Sequence, residues 1–300
     1  MAHSTGKTNS QDPSTNIWIA AMPVAFVFLW STGFIGAKYG IPYAEPFTFL
    51  GIRFTVVIGL MPLICLVTKA PWPKSVKATI HIVIAGTLVN RVYLGGVFSS
   101  VKVGFPVGIS ALVTGSQPIL TAILARHVLG ETVTKRQWVG IFIGFIGVAL
   151  VVSSKVAGAQ SNLIGLGLSI IALLGITTGM LYQKKYCNNM NLRSGSVIQF
   201  SSSLIIALPL AFFFETMVIQ WTVQFISSIL WLVIVLSVGA ITLLSMLIRQ
   251  GAASKVASLF YLVPPATALM SFFIFDKVLG PIEFVGMAAV VGGVALVTLE

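Results

Sequence analysis

The chain has 300 residues, of which 57% are hydrophobic and 8% charged, with a formal net charge of +11. Long apolar runs recurring from end to end exclude a soluble domain, and because they are continuous rather than alternating they point to helices, not a transmembrane barrel. The positive charge collects at one set of run ends, which makes it a topology signal and removes nucleic acid as a partner.

Residues 1–16 are polar, with no apolar h-region or small-residue cleavage site. They are expected to form a disordered cytoplasmic tail rather than a cleaved signal. Ten apolar runs follow, at 17–37, 47–67, 78–98, 107–125, 137–152, 163–182, 195–214, 228–248, 256–275 and 284–299. Most approach the roughly 20 residues that cross a hydrocarbon core. The sequence stops at Glu300 as the last run should leave the bilayer, which suggests a longer native tail. With the N-terminus in the cytoplasm, twelve Lys and Arg residues fall on that side, against Lys38, Lys102, Lys155 and Lys277 on the other. An even number of spans then returns the C-terminus to the cytoplasm, and an inner (plasma) membrane location is expected.

Within the runs the polar residues are few and grouped. Asn90 and Arg91 interrupt the third run, and Arg53 lies at a similar depth in the second. A charge facing lipid at a span centre costs roughly 2.5–3.5 kcal/mol on insertion scales, so such residues usually face a bundle interior or a wet cavity. Arg91 is about seven residues from the outer end of its run, roughly 10 Å at 1.5 Å per residue, and snorkelling covers much of that distance. Two arginines at one depth predict a shared outer vestibule. Thr87, Asn90, Arg91 and Leu94 share a helical stripe with Tyr93 beside it; Trp30, Ser31 and Thr32, Ser110, Thr114 and Gln117, Thr177, Thr178 and Tyr182, and Ser258 with Tyr261 lie on other runs. Together they outline a central pocket with hydroxyl and amide partners and aromatic walls. A guanidinium binds a carboxylate bidentately, so Arg91, with Arg53, is the candidate for attracting a substrate carboxylate. A snorkelled or structurally paired arginine is the alternative.

Pro118, Pro264 and Pro265 fall inside the fourth and ninth runs, where a missing donor and a clash with the preceding turn kink a helix. They are candidate hinges or static packing kinks. Gly140 and Gly144 form a small-xxx-small spacing that permits close helix approach, and Gly286, Gly292 and Gly293 give the last run a similar small face. Packing within one chain is the expected use, and a monomer rather than an obligate dimer. His3, His81 and His127 are too scattered for a metal site; Cys65 and Cys187 receive no role, and no cofactor is expected. All seven acidic residues fall in loops, tails or run ends. A carboxylate proton relay is therefore not expected.

Shifting the chain by 146 residues aligns Pro118 with Pro264, Thr121 with Thr267, Gly140 with Gly286, and GVALV at 147–151 with GVALV at 293–297. Each half holds five runs, and five is odd, so the halves enter the membrane from opposite sides, as in many secondary transporters. The fold class expected is an all-α membrane protein of ten transmembrane helices in two inverted five-helix repeats, 17–152 and 163–300, around a central cavity.

The stretches LWSTGFIGAKYG in the first run, Arg53 in the second, ALVTGSQPILTAILARHVLGETVTKRQWVGIFIGFIGVAL over the fourth and fifth, and SKVASLFYLVPPATALMSFFIFDKVLGPIEFVGMAAVVGGVAL near the end resemble the ten-helix, two-repeat EamA-type members of the drug/metabolite transporter superfamily. The resemblance implies a cavity lined by helices one to four and six to nine, with five and ten peripheral. It also implies export of small metabolites, with amino acids, including aromatic ones, as the expected branch. One departure is that Lys277 stands where the first repeat has Glu131, with Asp276 beside it. A nucleotide-sugar or phosphorylated-metabolite carrier is the alternative within the family, and a channel the alternative of another class. An enzyme is not expected: no histidine or acid lies predictably beside a serine, and no Gly-x-x-x-x-Gly-Lys-Ser/Thr motif is present.

Overall fold

The computed structural model describes residues 13–105, 107–156, 162–275 and 279–299. Among these no strand occurs, and the chain is a succession of helices. α1 spans Pro13–Gly40, so it begins within the segment expected as a tail; residues 1–12 lie outside the described part. α2 spans Pro46–Val67. α3 (Val76–Gly86), a π-helical segment (Thr87–Tyr93) and α4 (Leu94–Lys102) form one continuous rod. α5 (Val107–Thr114) and α6 (Gln117–Leu129) are separated at Gly115–Ser116. α7 (Lys135–Val156), α8 (Leu163–Tyr186) and α9 (Leu192–Phe214) follow. A second rod comprises α10 (Val223–Trp231), a π-helical segment (Leu232–Ala240) and α11 (Ile241–Gln250). α12 (Ala253–Ser258), a 3-10 segment (Leu259–Leu262), α13 (Val263–Phe275) and α14 (Pro281–Thr298) complete the chain.

Among the described residues, eight helical stretches are long and apolar enough to cross a membrane. They correspond to eight of the expected runs. α1, Pro13–Gly40, covers the first expected run, and the run at 107–125 is broken between α5 and α6 rather than continuous. Large side chains such as Phe213, Phe273, Leu163 and Val223 point outward, the exposure expected of a surface that meets lipid rather than water.

Each end of the bundle is tied by a carboxylate. At one end Glu45 precedes α2 but makes no cap to it; Glu215, at the end of α9, does so instead. Its oxygens accept from the amides of Phe47 (2.8 Å) and Thr48 (2.7 Å) and from the Thr48 hydroxyl (2.9 Å). Glu45 in turn accepts from the amide (2.5 Å) and hydroxyl (2.7 Å) of Thr216. Lys102 bridges both acids, at 3.2 Å from Glu45 and 3.7 Å from Glu215. An isolated antiparallel bridge, Ala44 with Ile219, joins the same two connections. The Thr216 donors, with Lys102 adding to them, hold the Glu45 carboxyl below the usual carboxylate range.

At the other end Glu131 accepts from the Ala253 amide (2.7 Å) at the start of α12 and pairs with Lys184 (2.6 Å), whose ammonium also reaches the Gly251 carbonyl. This carboxylate therefore joins the connections 130–134 and 251–253 to the end of α8. The second-repeat positions at which the sequence departs from this pattern, Asp276 and Lys277, lie outside the described residues.

Candidate functional site

The backbone irregularities come in pairs. Shifting the π-helical segment at 87–93 by 146 residues gives 233–239, which falls within the second π-helical segment, Leu232–Ala240. The same shift carries the break at Gly115 onto Tyr261, inside the 3-10 segment Leu259–Leu262. Pro118 opens α6 after the turn at Gly115–Ser116, a place where the missing N–H costs nothing, whereas Pro264 and Pro265 follow the 3-10 segment within the one helical stretch Ala253–Ile274.

Three of the buried groups that are short of partners lie in two of these four segments. Among the described residues, six buried side-chain nitrogen or oxygen atoms make no hydrogen bond: Asn90 Nδ2, Arg91 Nη1, Thr121 Oγ1, Arg249 Nη2, Tyr261 Oη and Thr267 Oγ1. Asn90 and Arg91 lie in the first π-helical segment and Tyr261 in the 3-10 segment. Thr121 and Thr267, equivalent under the same shift, each lie five residues past a break. An unmet buried polar group costs about 1–3 kcal/mol, so polar atoms concentrated at helix interruptions mark a place that stability alone does not explain.

Both arginines meet α2, Arg53 as one of its residues and Arg91 through Phe47. Arg53 projects from it, 4% exposed, and its Nε and Nη2 donate to the Ser237 hydroxyl at 3.1 and 3.0 Å. Ser237 sits in the second π-helical segment at the position equivalent to Arg91. Arg91, 6% exposed, packs its guanidinium over the ring of Phe47 at 4.8 Å from the centroid. Phe47 is six residues before Arg53, about 9 Å along the helix. Tyr93 closes the first π-helical segment and packs against the core.

Trp30 of α1 packs against Phe26 and Phe260, with ring centroids 5.3 and 5.2 Å away, so an aromatic wall meets the 3-10 segment. Ser31 donates to the carbonyls of Val27 (2.7 Å) and Val263 (3.4 Å), the latter next to Pro264. Thr32 accepts from the Trp231 indole at 3.1 Å. Gln117, 2% exposed, is aimed at Met180, its Nε2 3.8 Å from the sulfur.

Other expected residues are placed elsewhere. Ser110 joins Ser100 (3.1 Å) and Ser169 (3.0 Å) in a buried hydroxyl cluster between α4, α5 and α8, and Thr114 donates back to the Ser110 carbonyl at 2.9 Å. Thr178 follows the outward stripe of Ile171 and Leu174 and bonds the Leu174 carbonyl, whereas its neighbour Thr177 is buried. Tyr182 lies at the bundle end, 2.6 Å from His81 Nδ1, beside Tyr186 stacked on that imidazole. Ser258 is fully buried and caps its own turn through the Lys255 carbonyl.

Gly140, Gly286 and Gly293 face the contact between α7 and α14, and Gly144 faces the Tyr261 ring while its backbone lies against Gly293. A Cβ on Gly293 would lie 2.5 Å from the Gly144 nitrogen, and one on Gly140 2.6 Å from the Gly293 carbonyl oxygen. Gly292, expected on the same small face, points into open space. Sequence reasoning missed Ser237, Trp231 and Glu215. It also missed a chain in which Gln199 donates to Gln183 (3.2 Å) and Gln183 to Ser245 (3.1 Å), linking α9, α8 and α11.

Apolar helices of spanning length, with the polar groups gathered at interruptions inside them, define a multi-pass membrane protein of the transporter class. The chain belongs to the EamA-like transporter family, whose sequence profile matches it twice, over residues 16–153 and 163–299. A Bacillus subtilis transporter, YvbV, is 28% identical over 283 residues, 93% of this chain and 92% of that protein. The Escherichia coli inner membrane transporter YedA is 22% identical over 275 residues, 92% and 89% of the two chains. A probable amino-acid metabolite efflux pump of Salmonella typhimurium is 25% identical over 159 residues, 53% of this chain and 51% of that protein. A protein crystal structure at 17% identity superposes with a TM-score of 0.78, covering 93% of this chain and 95% of that one, and so shares the fold.

Proposed function

We propose that this protein exports small metabolites across the inner membrane by alternating access, with amino acids, including aromatic ones, as substrates. In this reading ten helical spans form two inverted five-helix repeats, 17–152 and 163–300, with both termini in the cytoplasm. The interrupted pair α5–α6 and α1 cross with the eight longer stretches. The observation that carries the reading is the pairing of helix interruptions at one sequence offset, with buried unpartnered polar atoms in the first π-helical segment (Asn90, Arg91), in the 3-10 segment (Tyr261), and at the equivalent Thr121 and Thr267. Discontinuous helices at corresponding positions of two halves are where secondary transporters hold their substrates.

Arg91, with its unpartnered Nη1, is the group for a substrate carboxylate, and Arg53, in the same repeat, is held beside it by Ser237 of the opposite repeat. Asn90, Gln117 and Tyr261 supply further polar contacts, while Trp30, Phe26 and Phe260 form the wall for an apolar or aromatic side chain. The two end clamps act as alternating gates: the Glu45–Lys102–Glu215 group on the outer side and Glu131–Lys184 on the inner side. Pro118, Pro264 and Pro265 lie where the helices bend between states. Every described acid sits at a bundle end, which supports facilitated export or exchange over proton coupling through a carboxylate.

The test is uptake into liposomes holding the purified protein, using labelled amino acids, sugars and nucleotide sugars, with counterflow as the control. Saturable, counterflow-stimulated amino-acid transport without an ion gradient is expected. Transport confined to phosphorylated or nucleotide substrates overturns the substrate, dependence of accumulation on an imposed pH gradient overturns the energetics, and unsaturable ion current overturns the carrier.

A further inference from the structure

Two cavities meet at Trp72, on the bundle end that carries Lys69, Lys74 and Lys77. The first, of about 490 Å³, lies between the 71–74 connection, the start of α3, the end of α8 and the start of α9. Lys74, Arg249, Asn189 and Asn191 line it, and no carboxylate does. Arg249 Nη2 is buried and makes no hydrogen bond among the described residues. The walls are fastened: Ser194 donates to the Pro71 carbonyl at 2.7 Å, and Asn191 caps α9 through the amides of Arg193 and Ser194. The second cavity, of about 430 Å³, continues from Trp72 between α3 and α9, along Val83, Val197, Ile198, Ile205 and Ile206.

We propose that the two cavities form one site for an anionic phospholipid. The phosphate lies against Lys74 and Arg249, and one acyl chain follows the groove between α3 and α9. Three observations support this occupant. Two cations face one polar pocket without a countercharge in its lining, and basic pockets between helices at a membrane face suit lipid headgroups. Trp72 is half exposed at the junction, where an amphipathic ring suits the headgroup level. The groove opens on the outer face of the bundle, with Ile205 70% exposed, a surface for hydrocarbon rather than for a water-soluble ion. The site is separate from the arginines of the bundle interior: Arg91 is nine residues beyond Ile82, about 13 Å along the rod.

The test uses the full chain in nanodiscs of phosphatidylcholine, alone or mixed with phosphatidylglycerol, with retained lipid counted by native mass spectrometry. Wild type should retain phosphatidylglycerol in preference to phosphatidylcholine. Lys74→Gln and Arg249→Gln should each reduce that preference about five-fold, the effect of one cation near an anionic surface. Lys74 is exposed, so its variant reads the site even if Arg249→Gln does not fold. Ile198→Trp, which fills the groove, should weaken retention of both lipids. Equal retention of the two lipids by wild type overturns the proposal. So does displacement of lipid by free glycerol phosphate with no effect of Ile198→Trp, which identifies a site for soluble oxyanions instead.

Discussion

Replacing Glu215 with alanine is the sharpest perturbation of the architecture, because this one side chain caps a helix to which it is not joined. Its side chain is 0% exposed, and its two oxygens accept from two backbone amides and a hydroxyl of α2 while facing Lys102 at 3.7 Å. Losing an N-cap costs roughly 0.5–2 kcal/mol, and a hydrogen bond to a charged acceptor contributes about 1.5–3 kcal/mol. Water partly re-satisfies a helix start near the bundle end, so the bonds do not add in full. A loss of about 3 kcal/mol is expected, which at roughly 2 °C per kcal/mol for a chain of this size lowers the melting temperature by about 6 °C. Glu215→Gln keeps one carbonyl oxygen for the same amides and should lose about 1 kcal/mol. Thermal unfolding in detergent, followed by circular dichroism, measures both. An alanine variant that melts with wild type refutes the cap as a source of stability.

Ser237→Ala removes the acceptor of both Arg53 donors, and about 2 kcal/mol of stability should go with it; Ser237→Thr keeps the hydroxyl and should restore it in the same melting assay. Gly293→Ala drives a methyl group against the backbone of α7 and should cost about 1–3 kcal/mol. Gly292→Ala, one residue earlier, meets nothing within 4 Å and should be neutral or stabilising. Burial pushes the Cys187 thiol up to about 11. The folded state thus favours the neutral thiol, a contribution present below the ordinary thiol range and lost as pH rises towards that value. In a Cys65→Ser background, alkylation should therefore be slow at pH 8 and rise about tenfold per pH unit to about pH 11; a plateau near pH 9 contradicts a buried thiol. Arg91→Gln, in protein shown to be folded, should abolish counterflow of carboxylate-bearing substrates, and unchanged transport removes Arg91 from the site.

The apolar runs were legible because hydropathy needs no partner to be read, and eight of them match helices of spanning length. What happens inside a run was not legible. Hydropathy is the same for α, π and 3-10 turns, so 107–125 reads as continuous although it breaks at Gly115–Ser116. Arg53 and Arg91 stood out as misplaced charges, but the partner of Arg53 is a serine 184 residues away. The only sequence signal for it was the 146-residue offset, which places Ser237 at the counterpart of Arg91. Glu215 read as one of several acids at run ends, because nothing in its neighbours says which helix it will cap. Thr178 and Tyr182 were grouped with the cavity by residue type, but one turns outward and the other belongs to the His81 cluster.

The glycine contact between α7 and α14 has a mechanical meaning. Gly140 faces the Gly293 carbonyl, Gly147 the Gly286 carbonyl, and Gly286 the Gly147 carbonyl, with no side chain interposed. Two helices meshed backbone to backbone do not slide by an ångström or two; the next register that presents glycine to carbonyl is a full turn away, about 5.4 Å. The pair therefore behaves as a single post joining the two halves of the sequence. In the alternating-access reading, movement between them passes through the interrupted helices, where the hydrogen-bond pattern changes from α to π or 3-10.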